Sequence, residues 1–319
     1  MLDSPLVDTQ ATLLELEAAN IFTIPLDDSH HWFRYHHLFD EFLQTRLQEG
    51  YSAAVVAELH SRASAWFAER GFIEEAMQHA IAAGDMEAAI QIVAANRQEL
   101  MNQEHFQRLW RWLQMFPQEI IDESPDLLLL QARSAQIQRF DMVEVSRIVD
   151  KVDALVNTLP LEAQKAERLL AENGALRSAS QYFALDPQNA LACCHNALEV
   201  LPQDWYALRS YCWIYGAVAL QLMGDLSGAY EWINQGRHED LAVDGGPQAR
   251  NAAAEGFVSW IAADLTGLQQ VGEFILGVAP DSRWHSQGWA HYFLACAHYH
   301  RNDLDRALYH AQKTFDRRY

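Results

Sequence analysis

Four aspartates, Asp186, Asp225, Asp264 and Asp303, recur at a constant interval of 39 residues. Their neighbours agree in type: Leu185-Asp186-Pro187, Gly224-Asp225-Leu226, Ala263-Asp264-Leu265 and Asn302-Asp303-Leu304. Four positions beyond each stands a small or aliphatic residue, Ala190, Ala229, Leu268 or Ala307. Gly or Asn ends one helix in a left-handed turn, the aspartate caps the next, and the alanine lets two helices approach. The pattern predicts helix pairs at 126–139/142–156, 163–184/187–200, 204–223/226–236, 247–262/265–276 and 285–301/304–316. A 39-residue unit of two helices is an α-solenoid of the tetratricopeptide kind. Less regular copies of the turn stand at Gly84-Asp85-Met86, Phe140-Asp141-Met142 and Gly71-Phe72-Ile73. The last pair carries no polar capping repeat, so the chain reads as a piece of a longer protein.

With 15 Gly and 9 Pro among 319 residues, helix is favoured almost everywhere. The exception is Phe22–Leu26, a polar turn at 27–30, then Trp32–Tyr35, which reads as a short hairpin between helices at 8–19 and 37–48. That order matches the end of a winged-helix domain. The fold class is therefore all-α: a helical-repeat superhelix with a small winged-helix remnant. The expected divisions are 1–50 for the remnant, 51–120 for helical linker repeats and 121–319 for the superhelix. The net charge of −20 repels phosphate backbones and anionic lipids, so direct nucleic-acid or membrane contact is not expected. The most apolar run, Tyr211–Met223, is too short to span a bilayer. The N-terminus lacks the basic and apolar segments of a signal peptide. Four cysteines with no CxxC pair indicate a reduced, cytoplasmic protein.

Two stretches carry a family resemblance. Trp32-Phe33-Arg34-Tyr35-His36-His37-Leu38-Phe39-Asp40-Glu41-Phe42-Leu43 and Leu59-His60-Ser61-Arg62-Ala63-Ser64-Ala65-Trp66-Phe67, followed by Gly71 to Asp85, resemble the large MalT-type regulators of the LuxR superfamily, which are STAND ATPases. The matching words cover about residues 10–115. The resemblance implies a nucleotide-binding module before the winged helix, a sensor superhelix after it and a DNA-binding helix-turn-helix at the far end. It also implies an ATP/ADP switch and self-association of the full-length protein. This sequence contains no GxxxxGK[ST] phosphate loop. Within the resemblance, Tyr35-His36-His37-Leu38 is similar to a word in which the histidine touches the β-phosphate of bound ADP. His36 is thus the nucleotide-contact candidate for the full-length protein. Its other reading is a cap or packing residue of the following helix.

Other chemistry is thinly supported. His30, His31, His36 and His37 match no zinc-finger spacing, so no metal is expected. His291 and His298 share a helix face, where aromatic packing or solvent is the simpler role. No GxSxG is present, the cysteines sit in apolar helices, and no catalytic residue is assigned. A ligand surface has more content. The repeat presents Tyr182, Gln221, Trp260 and Tyr299 four residues before each aspartate, and Tyr211, Arg250 and Trp289 further upstream at the same period. If the first helices line the concave side, these rings and polar groups suit a small polar-faced ligand such as a sugar. The competing reading is that the rings merely pack between repeats. The expected function is effector sensing by a MalT-like activator, through a small molecule or a regulatory protein. The alternatives are a protein-interaction scaffold and a helical-toroid enzyme.

Overall fold

The computed structural model describes residues 9–19, 22–28, 32–239, 246–279 and 284–316. It divides into two compact units, Met1–Asp85 and Met86–Tyr319.

In the first unit, α1 (Thr9–Ala18) precedes β1 (Thr23–Pro25) and β2 (Phe33–Tyr35), followed by α2 (His37–Gly50), α3 (Ala53–Glu69) and α4 (Ile73–Ala82). The strands are antiparallel, with Thr23 opposite Tyr35 and Pro25 opposite Phe33. Pro25 cannot donate a ladder bond, which suits a two-stranded hairpin in which every strand is an edge. Trp32 ties this hairpin to the helices. Its ring lies 4.9 Å from Phe72 and 6.0 Å from Trp66, at the turn joining α3 and α4. On α4, Ala76, Met77 and Ala80 are buried. The expected hairpin and its flanking helices are thus present.

The second unit begins with α5 (Met86–Asn102), α6 (Phe106–Leu113) and α7 (Gln118–Glu123). Paired helices follow: α8 (Pro125–Ser134, extended by a π-turn over Ala135–Arg139) with α9 (Met142–Thr158), and α10 (Ala163–Phe183) with α11 (Pro187–Val200). Next come α12 (Tyr206–Leu222) with α13 (Leu226–Glu239), α14 (Gly246–Ile261) with α15 (Leu265–Val278), and α16 (Trp284–His300) with α17 (Leu304–Asp316). The first helices α8, α10, α12, α14 and α16 pack in series, and each second helix packs on its own partner and on the next first helix. The fold is a helical repeat.

The recurring turn is what the sequence predicts. Asp186, Asp225, Asp264 and Asp303 each precede a second helix, and their carboxylates accept from the N–H of Asn189, Gly228, Gly267 and Arg306. Before them Leu185, Gly224, Ala263 and Asn302 hold φ between +57° and +87°. Each aspartate N–H donates to the carbonyl five residues back, closing a Schellman end. Ala190, Ala229 and Leu268 are fully buried where the helices of a pair meet.

Helix α12 is buried without interruption from Ala207 to Ala219. It is enclosed by α5, α10, α11, α13 and α14. A helix surrounded by protein is apolar on all faces, which accounts for the Tyr211–Met223 run. No helix among the described residues is long and apolar enough to cross a membrane.

Residues 86–113 pack inside the second unit. Both α5 and α6 lie against α8, and α5 also touches α12. The first helices α8 and α12 therefore meet a segment of their own chain.

Candidate functional site

The elbow between α5 and α6 ends α5 with the same geometry as the repeat turns. The His105 N–H donates to the Leu100 carbonyl five residues back, and Glu104 takes the left-handed position at φ +62°. That position favours Gly or Asn. A glutamate there costs on the order of 1 kcal/mol.

Glu104 reaches α14 and the start of α16. Its carboxylate accepts from Arg250 Nε at 3.1 Å, from the His285 and Ser286 N–H groups at 3.0 and 3.2 Å, and from the Ser286 hydroxyl. The N–H groups at the start of a helix have no intrahelical acceptor, so Glu104 caps α16 across 181 residues of sequence. The Glu104 side chain is fully buried and Arg250 is 3% exposed. Burial alone would push the Glu104 carboxyl up. The Arg250 and His285 charges and the Ser286 bonds overcome this and hold it below its ordinary value.

Two residues earlier, Asn102 does the same for α12. Its Oδ1 accepts from the Ala207 N–H at 3.1 Å, its Nδ2 donates to the Asp204 carbonyl at 2.7 Å, and its own carbonyl accepts from Arg250 Nη2. A buried ion network fixes α5 further. Arg97 binds the Glu172 carboxylate of α10 with both terminal nitrogens and Asp126 of α8 at 3.1 Å. Burial opposes the Arg97 charge, but these two carboxylates raise its pKa overall.

One charge in this interior is held differently. Arg133 of α8 is 2% exposed and lies 3.6 Å over the Tyr211 ring, with Nη1 donating to Gln136. The groups that favour its charge are the Tyr211 and Tyr215 side chains rather than a carboxylate, and its Nε is buried without a hydrogen-bond partner. Burial lowers the Arg133 pKa, the tyrosines oppose this, and the Arg250 charge adds to the depression. The Arg250 Nη1 is likewise buried and unbonded.

Beside the elbow lies a cleft of about 320 Å³ bounded by α5, α10 and the turn before α12. Its walls include Gln98, Glu99, Asn102, Arg168, Asp204 and Trp205. Gln98 is 8% exposed, and neither its amide nitrogen nor its amide oxygen has a hydrogen-bond partner.

The sequence-derived candidates separate into two sets. Tyr211, Arg250 and Trp289 come together: Trp289 lies 6.3 Å from Tyr211 and 4.5 Å from His285, next to the Glu104 seat. Tyr182, Gln221, Trp260 and Tyr299 do not converge. Tyr182 packs on Tyr215, Gln221 donates to the Val258 carbonyl, Trp260 meets Tyr292 edge-on, and Tyr299 is 64% exposed. His36 stands in the other unit at the N-cap position of α2. Its side chain makes no capping bond, and its Nδ1 is buried without a partner. His291 bonds His310 at 2.9 Å, and His298 stacks on the same His310 ring. His30 and His31 lie outside the described residues, among which no group of three potential metal ligands occurs.

Sequence reasoning missed Asn102, Glu104, Ser286, Arg97 and Arg133. The elbow word Asn102-Gln103-Glu104-His105 has neither the glycine nor the aspartate by which the other turns are recognised. Arg133, a lone charge after the apolar run Leu127–Leu130, was the readable signal.

Residues 4–55 match the family model of the MalT winged helix domain, which contains α1, the hairpin and α2. A longer stretch of 176 residues is 34% identical to serine/threonine-protein kinase PknK of Mycobacterium tuberculosis strain CDC 1551, covering 55% of this chain and 16% of the relative. The protein of the same name in strain H37Rv gives the same figures. The matched stretch is thus about one sixth of the length of these relatives.

Proposed function

We propose that this chain is the effector-sensing and relay part of a MalT-like transcriptional activator. A small molecule bound against the first helices controls an ATP/ADP switch and a DNA-binding output that other parts of the full-length protein carry. The observation that carries the reading is the cleft beside the α5–α6 elbow. Its volume is in the range of small-ligand sites, and its buried Gln98 amide offers a donor and an acceptor with no partner in the protein. Unsatisfied buried polar groups are costly, so a ligand that bonds both recovers that cost.

The winged-helix match supports a regulator of this type. The match to a protein named as a kinase supports a relay segment that serves more than one kind of output. His36 fits the nucleotide-contact role in the full-length protein, since its buried Nδ1 lacks a partner. The chain itself performs no catalysis in this reading. An effector shifts the switch only by binding one state better than the other.

The test is a thermal-shift screen of sugars, nucleotides, amino acids and acyl compounds, with Gln98→Leu as control. A ligand at about 100 times its Kd stabilises by roughly 2.7 kcal/mol, a Tm rise of about 5–10 °C at this size. The rise should shrink in Q98L. If every compound leaves the Tm in place, the small-molecule reading fails.

A further inference from the structure

We infer that the seat of Glu104 is a receptor for the acid group of a small organic anion, which binds by displacing the Glu104 side chain. The inference goes beyond the effector reading above: the seat is distinct from the Gln98 cleft, whose walls include neither Glu104 nor Arg250.

Three observations converge on it. First, the seat is built for an anion. A guanidinium, a hydroxyl and two helix N-terminal N–H groups converge on one carboxylate, whose side chain is fully buried. Second, the interior holds more positive charge than Glu104 neutralises. Tyr211 and Tyr215, rather than a carboxylate, favour the Arg133 charge, and Arg133 Nε and Arg250 Nη1 are buried without hydrogen-bond partners. A ligand with a dianionic group, or with acceptors on both sides of its acid, satisfies groups that a single glutamate leaves unbonded. Third, the present occupant is held under strain. Glu104 occupies the left-handed position that the repeat turns give to Leu185, Gly224, Ala263 and Asn302. Releasing the elbow relieves that strain, so displacement starts from a disfavoured conformation. The rings of Phe106 and Trp289 lie against His285, whose N–H is one of the seat's donors.

Displacement has a mechanical consequence. Glu104 and Asn102 cap α16 and α12 from one short turn, and Arg250 holds the Asn102 carbonyl. A ligand acid that replaces Glu104 keeps the α16 cap and frees the elbow. The event converts an internal latch into a ligand-dependent one.

Chemical rescue tests this. Glu104→Ala leaves Arg250, Ser286 and the α16 N–H groups without their acceptor. Benzoate and phenyl phosphate are added separately, with benzyl alcohol and sodium chloride at equal ionic strength as controls. At about ten times its Kd, a rescuing anion should raise the Tm of E104A by roughly 3–5 °C. The controls should not, and the rise should vanish in E104A/R250Q. A larger effect of phenyl phosphate selects a phosphorylated ligand, and a larger effect of benzoate a carboxylic acid. Glu104→Gln keeps an acceptor oxygen for the N–H groups and serves if E104A does not fold. Equal Tm values in all four solutes, for the variant that folds, overturn the inference. In the unaltered protein the same anions must displace Glu104, so a smaller Tm rise that is lost in R250Q is expected, and a screen hit lost only in Q98L reports on the effector reading instead. Rescue of E104A with no anion-dependent rise in the unaltered protein shows only that the mutation leaves a hole, and overturns the displacement.

Discussion

Leu185 and Ala263 hold φ values of +62° and +57°, where a side chain clashes with the following carbonyl. Leu185 is 77% exposed, so nothing is lost with its side chain. Leu185→Gly should therefore stabilise, by about 0.5–1 kcal/mol after the entropy of glycine in the unfolded chain is subtracted. Thermal melts should show a rise of roughly 1–3 °C. At Glu104 the same substitution should do the reverse, because there the side chain is the reason for the strain. Two histidine pairs repeat one geometry. His60 and His79 meet through their Nδ1 atoms at 2.8 Å and His291 and His310 at 2.9 Å. His79 also stacks on Phe67, and His310 on His298. Burial lowers the pKa of His79, with the His60 charge adding and Glu75 opposing. Burial likewise lowers His310, helped by His298 and Arg306. A base whose folded pKa is depressed takes up fewer protons folded than unfolded. Stability is therefore unaffected above the ordinary value of 6.5 and falls as the pH drops below it. Between pH 7.5 and 5.5 the unaltered protein should lose more Tm than H79Q/H310Q, and parallel losses would refute this.

The helix turn is the element on which the repeat rests. Asp264 accepts from the Thr266 and Gly267 N–H groups at 3.1 and 2.9 Å. Removing such a cap costs about 1 kcal/mol, whereas Asn caps nearly as well as Asp. Urea titration should place D264A below the parent by that amount and D264N close to the parent. Between turns, helix spacing is set by small residues. A Cβ at Gly256 would run into the Phe293 ring, and one at Gly272 would lie 2.7 Å from Leu294. The helix pairs end within a few residues of where the 39-residue spacing puts them, because caps and left-handed residues are local devices. The left-handed site itself was legible at Gly224 and Asn302, but Leu185 and Ala263 carry no such signature. There the aspartate alone marked the turn.

At the scale of the second unit, long-range polar contacts decide how α5 is held. Arg97, Glu172 and Asp126 join α5, α10 and α8 in a site where each ion is less than 10% exposed. Removing one partner of a buried ion pair leaves the other charge unmatched and costs about 3–5 kcal/mol. Arg97→Met should lower the urea midpoint accordingly, and R97M/E172M should recover part of the loss. A double variant as unstable as the single one would show that the pair contributes packing alone. Glu104 adds an acid limit. Its carboxyl is held below 4.5, so its contribution is complete above that value and is lost as the pH falls through the lowered one.

Periodicity, caps and the hairpin word fixed the helical repeat, its turns and the winged-helix remnant, because each depends on residues within one helical turn of one another. The spacing also brought Tyr211, Arg250 and Trp289 to one place, since residues one period apart occupy equivalent positions on stacked helices. It gave no hint that Glu104 would be seated against Arg250, 146 residues away. That contact depends on how α5 and α6 pack against α8, α12, α14 and α16. Such packing is set by the balance of buried surface and buried charge over the whole unit, which no local pattern records. The sequence offered a lined surface, and the tertiary structure put a carboxylate of the chain itself upon it.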